Sequence, residues 1–297
     1  MGNSALSRPK PNVRERHSRA LYINIPIKLA AVSRFIIEPC QADAFEGSCW
    51  LSIVVDDLDI LESYCASGMF VSTGLQGWMV KTNLLVKCKV PTWNKENLNE
   101  TTEVSGYQIL SLDFEKGLGG NIKTLGARAT QLVPTTTARF DMSSGPSGSA
   151  VDSALSEGLL YSAEVTSFHS SRNPLISIRG KFRLGPHDQR TLQLMEFAIN
   201  RPNKFLNQVG DDYAGYTCTM SMEDNKGRLA FSPEDGDGAD FRYTECVLVD
   251  VETLSLPILS RLDVGEEQLL RHIDISQAVC FVQPQYILVD HHNTKLN

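Results

Sequence analysis

Long apolar runs and clustered cysteines are both missing from this chain of 297 residues. No apolar run approaches the ~20 residues that a transmembrane helix needs, and this excludes an integral membrane segment. No hydrophobic signal-peptide core follows the N-terminus. The cysteines are odd in number and none forms a Cys-x-x-Cys pair, which argues against a disulfide framework or a zinc knuckle. They are Cys40, Cys49, Cys65, Cys88, Cys218, Cys246 and Cys280. We therefore expect a cytoplasmic protein with reduced, mostly buried thiols.

An excess of positive charge is also missing. The chain has 28 Lys+Arg against 35 Asp+Glu, a net charge of −7, which argues against nucleic acid as a partner because phosphate binding needs a basic surface. The histidines His169, His187 and His272 are isolated, so nothing shows metal-ligand spacing, and we predict neither a metal ion nor a cofactor. No Gly-x-Ser-x-Gly motif is present, which removes the α/β-hydrolase interpretation.

The first 18 residues carry prolines and charges without apolar periodicity, and they are predicted to be a flexible N-terminal leader. The start of the chain invites N-myristoylation at Gly2, but Leu6 stands where that pattern requires Ser or Thr, with Ser7 one place late. Acylation of Gly2 is therefore the minor alternative, and a single acyl chain would anchor only weakly.

The clearest periodicity runs from Trp78 to Val90, where apolar residues occupy the even positions and Lys81, Lys87 and Lys89 occupy odd ones. Alternation of this kind is typical of a strand with one face against an apolar layer. The other face meets solvent or the polar lumen of a barrel.

About ten such strands, with helices inserted between them, run from Ala20 to Asp290; the clearest helix spans Asp188 to Asn200. We predict a mainly β protein with inserted helices: a closed or nearly closed antiparallel β-barrel. Residues 19–290 are expected to form this single domain, and residues 291–297 a C-terminal tail.

Two segments carry a family resemblance. Gly106-Tyr-Gln-Ile-Leu-Ser-Leu-Asp-Phe114, with the Pro-led stretch that ends at Phe140, is typical of a strand, a short helix of small residues and a second strand. Asn83-Leu-Leu-Val-Lys-Cys-Lys-Val90 is similar to another strand of the same kind of protein. Together they resemble an uncharacterised branch of the acetoacetate-decarboxylase-like barrel superfamily. The resemblance implies a barrel whose lumen accepts a small organic acid or keto acid, and lyase or related chemistry.

The chain departs from the decarboxylase pattern where the chemistry occurs. In the decarboxylases a pair of lysines follows the proline of this segment, and one of them forms a Schiff base with the substrate. Here Pro134 is followed by Thr135, Thr136 and Thr137, and no Lys-Lys pair occurs in the chain. A hydroxyl cannot form an imine, so we expect acid–base chemistry without a covalent intermediate. In the branch that the chain resembles, Glu is usual at the position of Asn83 and Arg at that of Lys87.

The candidate catalytic residues are Lys87 and Arg139, which would stabilise an enolate. The candidate binding residues are Asn83, Lys89, Arg128, Thr135, Thr136 and Glu164. The hypothesis requires Asn83 and Lys87 to project into an enclosed interior while the even positions pack outward. The alternative is that these lysines are solvated on the outer face of a strand.

Two other functions remain open beside an enzyme. One is a non-catalytic barrel that binds a small organic acid or an apolar ligand. The other is an interaction module whose lumen is filled by side chains. A homo-oligomer is compatible with each of the three.

Overall fold

A computed structural model describes the backbone of the following residues: 13–36, 38, 40–64, 70–91, 101–114, 138–141, 160–167, 170–183, 187–199, 201, 203–206, 214–219, 222–223, 229–230, 246–262, 273–283 and 287–295. Most of them lie in β-strands. The strands are β1 Val13–Ile27, β2 Cys40–Ala42, β3 Ala44–Phe45, β4 Ser48–Tyr64, β5 Phe70–Pro91, β6 Thr101–Phe114, β7 Ala138–Asp141, β8 Leu160–Ser167, β9 Ser170–Arg183, β10 Asn203–Leu206, β11 Ala214–Thr219, β12 Met222–Glu223, β13 Leu229–Ala230, β14 Val247–Ser255, β15 Val279–Gln283 and β16 Ile287–Lys295. The α-helices are α1 Leu29–Val32 and α2 Gln189–Ile199, and 3-10 helices span Ser33–Phe35, Pro257–Leu262 and Ile275–Gln277.

Fourteen strands form one sheet in the order β3-β4-β5-β6-β10-β11-β16-β1-β15-β14-β9-β8-β7, with β2 paired to β5. The pairing is antiparallel except between β6 and β10. Strand β4 pairs along its length with β5 and also with β1, which brings distant parts of the strand order together. The sheet curls strongly into a half-barrel. The mainly β, antiparallel architecture is thus confirmed.

The first and last strands reach further than the sequence predicted. Strand β1 begins at Val13, so residues 13–18, which were expected in the leader, belong to the sheet. Residues 13–17 pair with β4 on one side and with β16 on the other, and both ladders satisfy backbone groups whatever the side chains are. Strand β16 likewise continues to Lys295 through His291 and His292, which were expected in the tail. The treatment of the chain as a single domain stays a prediction.

Alternate residues of the central strands enter two different cores. The larger core lies on one face of the sheet and includes Ile23, Ile53 and Leu84, each fully buried. On β5 it takes the even positions, as the period-2 pattern predicted: Val80, Leu84, Val86 and Cys88. The smaller core lies on the other face and includes Leu85. The central strands β1, β4 and β5 are therefore covered on both faces.

Helix α2 packs on the smaller core, within one residue of its predicted bounds. Asp188 caps it, because its carboxylate accepts hydrogen bonds from the Thr191 backbone N–H at 2.8 Å and from the Thr191 hydroxyl at 3.0 Å. These bonds, the backbone one first, lower the pKa of Asp188. The buried side chains of the helix all face the sheet: Leu194, Met195, Ala198 and Ile199.

Gly180 of β9 marks a close approach to β14. A β-carbon at this position would collide with the Asp250 carbonyl oxygen and lie 2.8 Å from Val249 Cγ1. We expect Gly180→Ala to lower the free energy of unfolding by about 1–3 kcal/mol, because overpacking a tight strand interface forces the backbone apart. Urea denaturation measures the change. A variant as stable as the wild type would show that β9 and β14 are not this close.

Candidate functional site

Three polar side chains lie side by side on the face of the sheet that carries the smaller core. Asn24 of β1 is directly opposite Ser52 of β4, and Ser52 is directly opposite Asn83 of β5. Directly paired residues project their side chains to the same face, about 4.5–5.5 Å apart at their β-carbons. All three are at most 1% exposed. We call Asn24, Ser52 and Asn83 the polar row.

The polar row holds hydrogen-bonding atoms without partners. Within the described part of the chain, Asn24 Oδ1, Ser52 Oγ and Asn83 Oδ1 accept or donate no hydrogen bond. The Asn24 amide nitrogen donates to the Val279 carbonyl oxygen at 3.4 Å, and this contact orients the side chain. A buried polar atom left without a partner costs about 1–3 kcal/mol. The row is therefore a place where a ligand with its own donors and acceptors would be stabilised.

A buried ion pair lies beside the polar row. Lys81 precedes Asn83 by two residues and Asp56 follows Ser52 by four, so both side chains project to the same face as the row. Lys81 Nζ lies 2.5 Å from Asp56 Oδ2, and the two side chains are only 8% and 3% exposed. We call this pair together with the polar row the polar face. Its formal charges cancel.

Aromatic and apolar side chains border the polar face. Val54 of β4 is paired with Tyr22 of β1 on one side and with Lys81 of β5 on the other. The Tyr22 hydroxyl donates to Gln283 Oε1 at 3.3 Å, and its ring stacks on Phe281 with the ring centroids 5.2 Å apart. Toward the other end of β5, Leu85 joins the smaller core under α2. The polar groups are thus a patch on an otherwise apolar wall, an arrangement typical of small-molecule sites.

Three solved structures share this architecture. The enduracididine biosynthesis enzyme MppR complexed with pyruvate superposes with a TM-score of 0.54 at 8% identity, covering 100% of this chain and 94% of that one. MppR complexed with the condensation product of pyruvate and imidazole 4-carboxaldehyde gives 0.53 at 7% identity, with 97% and 91% covered. An acetoacetate decarboxylase-like enzyme from Sphingomonas wittichii RW1 gives 0.50 at 8% identity, with 97% and 94% covered. The chain has an acetoacetate-decarboxylase-like fold.

No protein-family model and no curated protein matches the sequence. At 7–8% identity the similarity to solved structures establishes the acetoacetate-decarboxylase-like fold and nothing about the reaction. The fold confirms the resemblance drawn from the segments around Asn83 and Gly106. Thr135 and Thr136, which were predicted to stand at the lysine positions, lie outside the described residues, as does Arg128.

Within this acetoacetate-decarboxylase-like fold, the three site residues predicted on β5 differ in their exposure to solvent. Asn83 is buried, at 1% exposure, and its role in binding stays a prediction. Lys87 is not buried: its side chain is 36% exposed and its ammonium lies 3.3 Å from Glu103 Oε1. Lys89, two residues further on, is exposed. The reason is position along the strand, because Lys87 lies beyond Leu85, near the end of β5. Lys81 is the buried lysine of this face.

The two other predicted residues within the described part of the chain lie on strands β7 and β8. Glu164 is exposed on β8, on the side away from the buried Ala163 and Val165. Arg139 is on β7, opposite Thr166 of β8. Strands β7 and β8 stand last in the strand order, and neither pairs with β5. The roles of Arg139, Glu164 and Lys87 in catalysis or binding stay predictions.

Sequence reasoning missed Arg201, which fixes α2 over the smaller core. The buried guanidinium contacts Asp43 Oδ2 at 2.8 Å and donates to the carbonyl oxygens of Val86 at 3.0 Å and Gly106 at 3.3 Å. Its Nε donates to the Phe197 carbonyl oxygen at 2.6 Å, at the C-terminal end of the helix. Burial lowers the pKa of Arg201, and Asp43 opposes this shift. Its place just after a predicted helix was the available signal, since basic residues favour helix C-termini.

Among the described residues, no group of three or more His, Cys, Asp or Glu side chains could hold a metal ion. No helix within the same residues is long and apolar enough to cross a membrane.

Proposed function

We propose that this chain is an acetoacetate-decarboxylase-like protein that binds a small organic acid or keto acid on the polar face, inside a barrel lumen. The observation that carries the proposal is the polar row, whose three oxygens are buried without partners among the described residues beside an ion pair. Such groups are costly unless a ligand or water satisfies them. A carboxylate with an adjacent carbonyl offers acceptors to the Ser52 hydroxyl and the Lys81 ammonium, and a hydroxyl of the ligand or a bound water would donate to the Asn24 and Asn83 amide oxygens.

The lumen itself is part of the proposal. Strand β1 pairs with β4 on one side and with β16 on the other, and β16 continues through β11 and β10 to β6 and β5. These pairings support closure of the strongly curled sheet, and the proposal places the face that bears the polar row on the inside. A barrel closed in this way would exclude bulk water from Asn83 and Lys81 and strengthen their electrostatic contacts with a ligand.

The chemistry that we propose is non-covalent. Lys81 Nζ is held in an ion pair with Asp56, and an amine engaged in this way is not free to attack a carbonyl. Lys81 would therefore act as a fixed positive charge and proton donor toward an enolate oxygen rather than as a Schiff-base nucleophile. Thr135 and Thr136 at the expected lysine positions support the same conclusion.

Ligand binding tests the proposal directly. Pyruvate is the first probe, because MppR carries it in its solved complex. We expect wild-type protein to bind pyruvate and Asn83→Leu to weaken binding about tenfold or more, the effect of losing about 1.4 kcal/mol. The same change should leave the fold intact, because Asn83 Oδ1 has no protein partner to lose within the described chain. Isothermal titration calorimetry gives the affinity and urea denaturation gives the stability.

Gln76→Leu is the matched control, since Gln76 is an exposed amide on the same strand. It should bind pyruvate as the wild type does. No binding of pyruvate, acetoacetate or related keto acids by the wild type would remove the proposal. Equal affinity in Asn83→Leu would place the ligand elsewhere.

The non-catalytic binding barrel remains the second candidate, favoured by the threonines at the expected lysine positions. Incubation with acetoacetate or pyruvate, followed by NMR of the mixture, distinguishes the two functions. Consumption of the keto acid that is lost in the double variant Lys81→Met/Asp56→Leu, folded as shown by urea denaturation, would support an enzyme, and recovery of unchanged bound ligand would support a binder. Borohydride added during incubation should trap no adduct. A reduced adduct on Lys81 would contradict the non-covalent mechanism.

A further inference from the structure

Two of the buried cysteines face each other across a strand pair, away from the polar face. Strand β2 is three residues long, and it pairs with β5 where Cys40 lies directly opposite Cys88. Both side chains belong to the larger core and both are free thiols, 6% and 2% exposed. The two residues are far apart in sequence, and only the sheet brings them together.

The ladder shows how close this pair is. The Asp43 backbone N–H donates to the Leu85 carbonyl oxygen at 2.9 Å, so Asp43 and Leu85 form a hydrogen-bonded pair. Hydrogen-bonded and non-hydrogen-bonded pairs alternate along antiparallel strands, which makes Cys40 and Cys88, three pairs further on, a non-hydrogen-bonded pair. Such pairs have their α-carbons about 4.5 Å apart, within the range of roughly 4.4–6.8 Å that a disulfide spans.

The two thiols are also polarised relative to each other. A hydrogen bond between them lowers the pKa of Cys88 and raises the pKa of Cys40, which burial raises further. Cys280 has a different environment, because burial alone raises its pKa, to about 12. The thiolate is the reactive form of cysteine, so Cys88 is the thiol of the pair that reacts first.

We propose that Cys40 and Cys88 are an oxidation site, at which a peroxide forms a reversible cross-strand disulfide between β2 and β5. The Cys88 thiolate attacks one peroxide oxygen, the O–O bond breaks, and Cys88 sulfenic acid and water (or an alcohol) result. The Cys40 sulfur then attacks the sulfenic sulfur, the S–O bond breaks, and a second water leaves as the S–S bond forms. The protein loses two hydrogens and the peroxide is reduced. A low-molecular-weight thiol reverses the change by exchange.

The position of the pair gives the disulfide a consequence for the fold. Strand β2 leads directly into Asp43, the carboxylate that contacts Arg201 under α2. Without the disulfide, β2 is held to β5 by a ladder of three residue pairs. The cross-link would tie this short strand, and the Asp43 that follows it, to the middle of the sheet.

Oxidation of the intact protein tests the proposal. Wild-type protein is titrated with hydrogen peroxide, the remaining thiols are alkylated under denaturing conditions, and peptides are mapped without reduction. We expect a linked peptide pair containing Cys40 and Cys88 with the loss of two hydrogens, and its disappearance after treatment with glutathione. We also expect a higher thermal midpoint for the oxidised protein than for the reduced one, because the cross-link restricts the unfolded chain.

The variant Cys280→Ser is the matched control, since it removes a buried thiol from the same core and should leave the linked peptide unchanged. Cys88→Ala should abolish the link and leave Cys40 open to alkylation after unfolding. The peptide map of the wild type decides the matter even where a variant fails to fold. Linkage of Cys88 to another cysteine, or its direct conversion to sulfinic acid in folded protein, would overturn the proposal.

Discussion

Replacing Arg201 with methionine is expected to lower the free energy of unfolding by about 3–5 kcal/mol, the range measured when one partner of a buried ion pair is removed. The change leaves the Asp43 carboxylate without its guanidinium and removes donors to the carbonyl oxygens of Val86, Gly106 and Phe197. A methionine has similar length and fills much of the space, so the loss reports the charge and the hydrogen bonds rather than a cavity. The midpoint of urea denaturation measures it.

A double-mutant cycle with Asp43→Asn separates the contribution of the ion pair from that of the hydrogen bonds that Arg201 donates to backbone carbonyl oxygens. Asp43 is partly exposed, at 20% of its side chain, so its own replacement should cost less than that of Arg201. The double variant should be more stable than the sum of the two single effects predicts, because no stranded charge remains. Additive effects would mean that the contact between Asp43 and Arg201 contributes nothing to the free energy of unfolding. Hydrogen exchange should also show weaker protection of α2 in Arg201→Met, since its last carbonyls lose their donor.

Much of the fold followed from local patterns. The period-2 alternation between Trp78 and Val90 identified β5 and the face of it that enters the larger core, because residues on one face of a pleated strand share one environment. Helix α2 was predicted almost to its ends, since an N-terminal Asp188 and a downstream Pro202 mark the limits of an apolar stripe. The resemblance of the segment around Gly106 led to the correct fold although the overall identity is very low.

The site was harder to predict, because alternation shows which face of a strand a residue is on but not whether its position along the strand is buried. Lys81, Lys87 and Lys89 share one face of β5, and the sequence offered no reason to choose among them. The choice is made by β4, which places Asp56 against Lys81, and by the end of β5, which leaves Lys87 near Glu103. Strand register between segments distant in the chain sets these contacts, and no local signal encodes it.

The same limit explains the other surprises. Residues 14–17 are all polar or charged, so nothing local predicts that β4 and β16 would both pair with them. The pairing of Cys40 with Cys88 depends on a three-residue strand too short to recognise. Which residues pair across strands that are distant in the chain becomes clear only from the assembled sheet.

Lys81→Met is expected to be the second strongly destabilising change, again by about 3–5 kcal/mol, because it removes the ammonium that contacts the Asp56 carboxylate in a site that is 3% exposed. The matched control is Lys181→Met on β9, whose pair with Glu252 is 3.5 Å long and half exposed at both ends, and which should cost less than about 1 kcal/mol. Adding Asp56→Leu to Lys81→Met should restore most of the stability, since a buried ion pair can often be replaced by apolar residues without loss. That double variant would then separate the two roles of the pair: if the polar face holds a keto acid as proposed, it should fold normally and still fail to bind pyruvate. A double variant that is stable and binds as the wild type does would show that Lys81 serves the fold alone.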